Sequence, residues 1–163
     1  MLVQELISQE IPPLKLTDTV AKALDWMDQF KVSHLAVTDG RKLLGLISEN
    51  DLLDSADAEL LLSEHKTHLL QCFVFEHQHA YDVLRLMSSL ELSLIPVLNA
   101  TEHYQGSIST MNLIHHLSTM ASVEHPGGVL VLEMNQNDYS ASQIAQIVES
   151  NNAKLLSLHV SSS

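Results

Sequence analysis

The sequence predicts an α+β fold in which one helix-strand-strand-helix unit is written twice and followed by a shorter β-α-β piece. Three observations lead there. Residues 11–53 lie over 71–114 at an offset of 60, so that Leu24 falls on Leu84, Met27 on Met87, Ser33 on Ser93 and Val37 on Val97. One extra residue between Leu98 and Gly106 makes the offset 61, and Gly45, Ile47, Ser48 and Leu52 then meet Gly106, Ile108, Ser109 and Leu113. Each copy passes from helical spacing of apolar residues to short apolar runs joined by a turn. "EHPGG" (124–128) punctuates the chain after the second copy.

In the first copy Thr17-Asp18-Thr19 offers an N-cap, and Val20, Ala23, Leu24, Met27 and Phe30 recur at three- and four-residue steps, forming one apolar stripe. "HLAVT" (34–38), the turn "DGRK" (39–42) and "LLGLIS" (43–48) read as a strand pair, and a second helix starts at Ser48. The second copy repeats this as helix 80–91, strand "LIPVL" (94–98), polar loop "NATEHY" (99–104), strand "GSIS" (106–109) and helix 110–121. Pro96 is expected at a strand start or an edge, because it has no N–H for a ladder. The stretch between the copies, 54–70, reads as a short helix and a connector. Beyond the boundary, "VLVLEM" (129–134) reads as a strand, "SASQIAQIVES" (140–150) as a helix opened by Ser140-x-x-Gln143, and "KLLSLHV" (154–160) as another strand.

A chain of 163 residues with 45% hydrophobic and 17% charged residues can bury a real core. Its net charge of −12 argues against nucleic acid and anionic membrane surfaces as partners. The single cysteine, Cys72, excludes an intramolecular disulfide, and the start "MLVQELISQE" has neither a basic leader nor a long apolar segment. No run approaches the roughly 18 apolar residues of a membrane helix. A cytoplasmic location is expected. No triad, Walker loop, catalytic carboxylate pair or dinucleotide fingerprint can be assembled, so no catalytic residue is assigned. Ten histidines, including His77 and His79 in "EHQH" and the adjacent His115 and His116, lack cysteine partners or a helical His-x-x-x-His pair, and no metal ligand is assigned. They read as surface or strand-edge residues. Trp26 lies just off the helical stripe, as Leu86 does in the second copy, and suits either an extended core or contact with another repeat or subunit.

The pair "GLISENDLL" (45–53) and "GSISTMNLI" (106–114) carries the chemistry. On one reading Ser48 caps a helix and Asp51 closes a capping box, its charge favoured by the positive end of the helix dipole. On the other, Gly45 lets a ligand approach the backbone, the helix start offers N–H groups to an anion, and Asp51 accepts both hydroxyls of a ribose.

These paired units resemble a tandem of CBS domains, the regulatory module named after cystathionine β-synthase, over about residues 1–122. The resemblance implies two repeats, 1–62 with the connector and 63–123, packed sheet to sheet about a pseudo-two-fold axis, homodimerisation, and an adenosine-containing ligand in the cleft between repeats. The family's motif, a glycine, two residues, Ser or Thr, two residues and Asp, is matched by Gly45, Ser48 and Asp51, which places Ser48 near phosphate or ribose and Asp51 on the ribose hydroxyls. In the second copy Gly106 and Ser109 match, but Asn112 replaces the acid with an amide that has one acceptor oxygen instead of two. At most one tight site per chain is expected. Backbone at Ser33-His34 and Leu94-Ile95 resembles the family's base-contacting positions.

From Glu49 through Glu64 there are six acids and no Lys or Arg, so a triphosphate beside this helix meets like charge. Either a divalent cation accompanies the ligand or the ligand carries little charge, so an adenine nucleotide here is AMP, or ATP with Mg²⁺. Five of the eight bases fall in 15–42, among them Lys31, Arg41 and Lys42. Residues 128–163 resemble the first half of an ACT domain, whose missing half implies a truncated form of a longer protein in which this segment is either mobile or completed by a neighbouring subunit; the alternative is that it adds a strand to the CBS sheets and needs no missing half. The ligand-contacting glycine of that family is absent around Asp138-Tyr139-Ser140, which argues against amino-acid binding. Two alternatives to a ligand sensor stay open: a ligand-free dimerisation module, and a module that responds to divalent metal through the acidic stretch 49–64.

Overall fold

The computed structural model describes residues 1–54, 57–121, 125–135 and 140–160, the side chains of residues 66 and 67 excepted. Glu124 of the boundary signal and Asp138 and Tyr139 of the tail lie outside the described residues. Two compact units form, residues 1–114 and 115–163.

The first unit contains β1 (Leu14–Lys15), α1 (Val20–Phe30), β2 (His34–Asp39), β3 (Lys42–Ser48) and α2 (Glu49–Leu53), then β4 (Val74–Phe75), α3 (Ala80–Ser89), β5 (Leu94–Leu98), β6 (Tyr104–Ser109) and the start of α4 (Thr110–Met120). Thr19 caps α1 by accepting from the Lys22 amide, and Val20, Ala23 and Met27 of the expected stripe are buried while Leu24 and Phe30 pack partly buried against the same core. α1 ends at Lys31 with φ +55, and Glu91 takes the same left-handed conformation one repeat later with φ +52.

Each repeat makes a three-stranded sheet, β1-β2-β3 and β4-β5-β6, with one parallel and one antiparallel ladder. The register slips at the same place in both, between Val37 and Thr38 and between Val97 and Leu98. An extra residue, Leu44 or Gln105, is accommodated just before Gly45 or Gly106, whose φ values are +147 and +150. Pro96 is not at a strand start or edge: it stands in the middle of β5, the central strand, opposite Ser107. Central placement is possible because β4 pairs only with Val97 and Leu98, so at Pro96 the ladder runs on one side alone.

The packing units cross the sequence repeats. Residues 1–8 lie along the second repeat: Val3 and Gln4 amides donate to Gln78 and Glu76 carbonyls at 2.9 and 3.0 Å, and Ser8 exchanges a pair of backbone bonds with Ser107. The connector does the same to the first repeat, Leu62 and Ser63 amides donating to Asp18 and Leu16 carbonyls at 2.9 and 3.0 Å, while Leu70 exchanges bonds with Leu46. The first core accordingly takes in Leu62 and Leu69 beside Leu14, Leu35 and Ile47. β2 faces β5 between the repeats, which are packed sheet to sheet as expected.

In the second unit the expected helix forms as α5 (Ala141–Ser150), with Ser140 Oγ accepting from the Gln143 amide. Its two expected flanking strands do not form: residues 129–135 and 153–160 join no ladder among the described residues, and Val129 and Val131 are 90% and 89% exposed. Runs apolar on both faces become strands only when neighbours take up their amides and carbonyls and cover their side chains, and the described residues of this unit supply neither.

Candidate functional site

The Gly-Ser-acid motif sits where β3 ends and α2 begins. Ser48 is extended, with φ −96 and ψ 155; its Oγ accepts the Asp51 amide at 3.1 Å and donates to Asp51 Oδ2 at 2.5 Å. A carboxylate has about four lone-pair directions, so one hydroxyl leaves it acceptor capacity for a ligand. The second copy builds the same box from an amide. Asn112 Oδ1 accepts the Ser109 hydroxyl at 2.7 Å and the Ser109 amide at 3.2 Å, while the Asn112 amide donates to Ser109 Oγ at 3.2 Å.

His34 stands opposite Ser48 in the β2/β3 ladder, as Leu94 stands opposite Ser109 in β5/β6. Burial pushes the His34 imidazole below its ordinary value, opposed by the negative charge of Asp51. The fold thus gathers Ser33, His34, Ser48 and Asp51 at one end of the first sheet. Leu94, Ser109 and Asn112 occupy the corresponding end of the second, where Ile95 is fully buried in the strand and its side chain belongs to the core.

Gly45 lies three residues back along β3, and what approaches its backbone is the chain itself. A Cβ there would come within 2.9 Å of Leu69 Cβ and Gln71 Nε2 and 3.0 Å of the Leu70 carbonyl oxygen. At Gly106 the N-terminal segment takes the same place, with Ile7 Cγ2 at 2.6 Å and the Ser8 carbonyl oxygen at 2.8 Å.

Charge and donors around the first motif are both spoken for. The Glu49 amide donates to the Ser33 carbonyl at 2.9 Å and the Asp51 amide to Ser48, so the start of α2 has little left to offer an anion. Lys31 pairs with Asp28 at 2.7 Å. Arg41 and Lys42 sit at the hairpin turn, and the six residue steps of β3 from Lys42 to Ser48 amount to about 20 Å. A shallow cavity of about 330 Å³ lined by Leu16, Asp39, Leu44 and Leu69 opens at that hairpin end and not beside Asp51. Among the described residues no three His, Cys, Asp or Glu side chains converge as metal ligands, those of the acidic stretch included.

Ser33 and Ser93, equivalent in the repeat, meet in the fold, a contact that spacing along the chain does not show. The Ser33 amide donates to Ser93 Oγ at 2.9 Å, and His34 Nδ1 lies 3.1 Å from the same oxygen. The signal was the repeat alignment, which puts a serine at the head of the central strand in both copies.

The CBS domain family matches residues 3–58. Those residues form a CBS domain. Over residues 1–114 the fold is that of a CBS domain pair. It is similar to the CBS domain pair/ACT domain protein of Thermotoga maritima, at 24% identity and a TM-score of 0.64 over 73% of this chain and 98% of that one. It is also similar to CBSX2, whose structure was solved in complex with AMP, at 21% identity and a TM-score of 0.57 over 72% of this chain and 96% of that one. A homoserine O-acetyltransferase from Methanobrevibacter ruminantium is 26% identical over 118 residues, 72% of this chain and 24% of the relative, so the chain spans about a quarter of the length of this relative. So small a share carries no catalytic assignment to the CBS pair.

Proposed function

We propose that this CBS pair is a non-enzymatic regulatory module that binds one adenosine-type ligand per chain at the end of the first sheet. Asp51 would hold the ribose hydroxyls; Ser48, once its hydroxyl turns from Asp51, the neighbouring ribose or phosphate oxygen; and the His34 backbone with the second lone pair of the Ser33 carbonyl the base. The observation that carries the reading is the Ser48–Asp51 pair, a half-buried carboxylate fixed by a hydroxyl at 2.5 Å beside a strand end. AMP bound to CBSX2, a protein of the same fold, supports the ligand class. Because Arg41 and Lys42 stand at the far end of β3, Lys31 is paired with Asp28 and the Glu49 and Asp51 amides are already bonded, adenosine or AMP suits the site better than a free triphosphate, and ATP requires Mg²⁺.

A thermal-shift panel of adenosine, AMP and ATP, the last with and without Mg²⁺, tests this on the whole chain. Ligand at 100 times its dissociation constant adds about 2.7 kcal/mol of stability. At about 2–4 °C per kcal/mol for a chain of this size, the midpoint rises by about 5–11 °C. No shift with any member of the panel refutes the ligand class.

The dimerisation reading is favoured by a separate observation. Leu53 on α2 and Met111 and Ile114 on α4 are 63%, 71% and 54% exposed, and the two helices occupy equivalent places in the two repeats. Such apolar surface on both motif helices suits self-association of the CBS pair into a homodimer. Sedimentation velocity across a concentration series tests it. No membrane partner is proposed, since among the described residues no helix is long and apolar enough to cross a membrane, and the buried, unpaired Cys72 suits a reducing, cytoplasmic setting.

A further inference from the structure

The contacts at the heads of β2 and β5 form one polar junction between the repeats. The Ser33 amide donates to Ser93 Oγ at 2.9 Å, and the Ser93 amide donates to His34 Nδ1 at 3.3 Å. Strict two-fold symmetry would have the Ser93 amide donate to Ser33 Oγ; the imidazole is inserted instead, and its counterpart in the second repeat is the apolar Leu94. A backbone N–H can only donate, so Nδ1 carries a lone pair and the ring proton is on Nε2. The hydroxyls of Ser33 and Ser93, at 3.2 and 3.1 Å, can also only donate to that lone pair while the ring is neutral.

We propose that His34 is a proton-sensitive latch between the two repeats, closed when the imidazole is neutral and released when Nδ1 takes up a proton. Protonation sets the Nδ1–H head to head with the Ser93 N–H. The serine hydroxyls can turn and accept from the imidazolium, but the Ser93 amide loses its acceptor in a half-buried place, so the junction shifts. The movement reaches both motif helices. The Ser33 carbonyl accepts the first amide of α2 from Glu49 at 2.9 Å, and the Ser93 carbonyl accepts the first amide of α4 from Thr110 at 3.0 Å.

The groups facing the ring set the pH at which this occurs. Asp51 on α2 attracts the proton, Ser48 on β3 and Ser93 at the head of β5 are uncharged, and Glu49 and Glu91, next to these contacts in sequence, are exposed. Burial outweighs Asp51, so the folded ring titrates below the unfolded value of about 6.5. The unfolded chain therefore binds more protons in the window between the two values, and stability falls as pH drops through about 6.5 towards the folded value.

The latch does not depend on the ligand reading and is tested without ligand. In a pH titration of the ¹⁵N-labelled whole chain from pH 8 to 5, the Ser93, Glu49 and Thr110 amide resonances are expected to move together, with the midpoint of the His34 ring resonances and below pH 6.5. His34→Gln offers an acceptor that does not titrate, and it should abolish the movement with that midpoint. His34→Leu, the residue of the second repeat, should abolish it too and flatten the dependence of stability on pH below 6.5. The proposal is overturned if the His34 ring titrates while the Ser93 amide stays still, if the ring midpoint lies at or above 6.5, or if the amide movement survives in His34→Gln.

Discussion

Asp51→Asn separates binding from helix capping because the chain already contains the substituted form. In the second repeat Asn112 closes the same box on Ser109 through one amide oxygen, with bonds of 2.7 and 3.2 Å. Asparagine at position 51 can therefore keep the cap. What it loses is a charge-assisted bond to Ser48 at 2.5 Å and a negative charge at the start of α2. The dipole interaction is worth about 0.3–1 kcal/mol and the exchange of a charged for a neutral acceptor on Ser48 about 1 kcal/mol more, so unliganded stability should fall by no more than about 2 kcal/mol. Ribose binding has no such substitute. Leaving one hydroxyl donor unpaired costs about 1–3 kcal/mol, which is about 5- to 150-fold in affinity. At a ligand concentration of 100 wild-type dissociation constants, the stabilisation of about 2.7 kcal/mol then drops to about 0.3–1.8 kcal/mol. Isothermal titration calorimetry with AMP and a urea melt of the free protein measure the two quantities separately. If affinity is unchanged, Asp51 does not hold the ribose; if affinity and free stability fall by the same amount, it acts as a cap alone.

Three further outcomes follow from the geometry. Wild type is expected to bind one adenosine-type ligand per chain, and Asn112→Asp to add a second, weaker calorimetric site; two equal sites in the wild type would contradict the distinction between carboxylate and amide. Gly45→Ala and Gly106→Ala should each destabilise by about 2–6 kcal/mol, the sum of a strained backbone and an overpacked contact, and a urea midpoint within error of wild type would refute the crossing segments as the reason for glycine. In a dilute, monomeric sample the amides of residues 129–134 should exchange near the unprotected rate, since they join no ladder among the described residues; slow exchange there would mean self-contained packing.

Elements held by local rules were legible in the sequence. The stripe from Val20 to Phe30 with its Thr19 cap, the strand "LIPVL", and the serine boxes at Ser48 and Ser109 rest on contacts within a few residues, and the structure keeps their bounds to within a residue or two. The runs at 129–134 and 154–160 carry strand composition, yet a strand is a property of a pair, and among the described residues none supplies the partner. Pro96 failed for a related reason: its tolerance in a central strand depends on how far β4 extends, which Pro96 cannot signal.

By itself the sequence determined the repeat, the helix and strand periods, and the residues available at the motif, because each of these is written in spacing and side-chain type. The tertiary structure alone decided what the repeated glycines serve and where the repeats meet. Gly45 and Gly106 look like openings for a ligand until residues 69–71 and 7–8 are seen to fill them, and these come from about 25 and 100 positions away in the chain. Likewise Ser33 and Ser93 are 60 residues apart, and only the packing of β2 against β5 lets one serine hydroxyl serve the other's amide with His34 between them. Contacts between distant segments depend on the summed burial of both cores and leave no periodic trace along the chain.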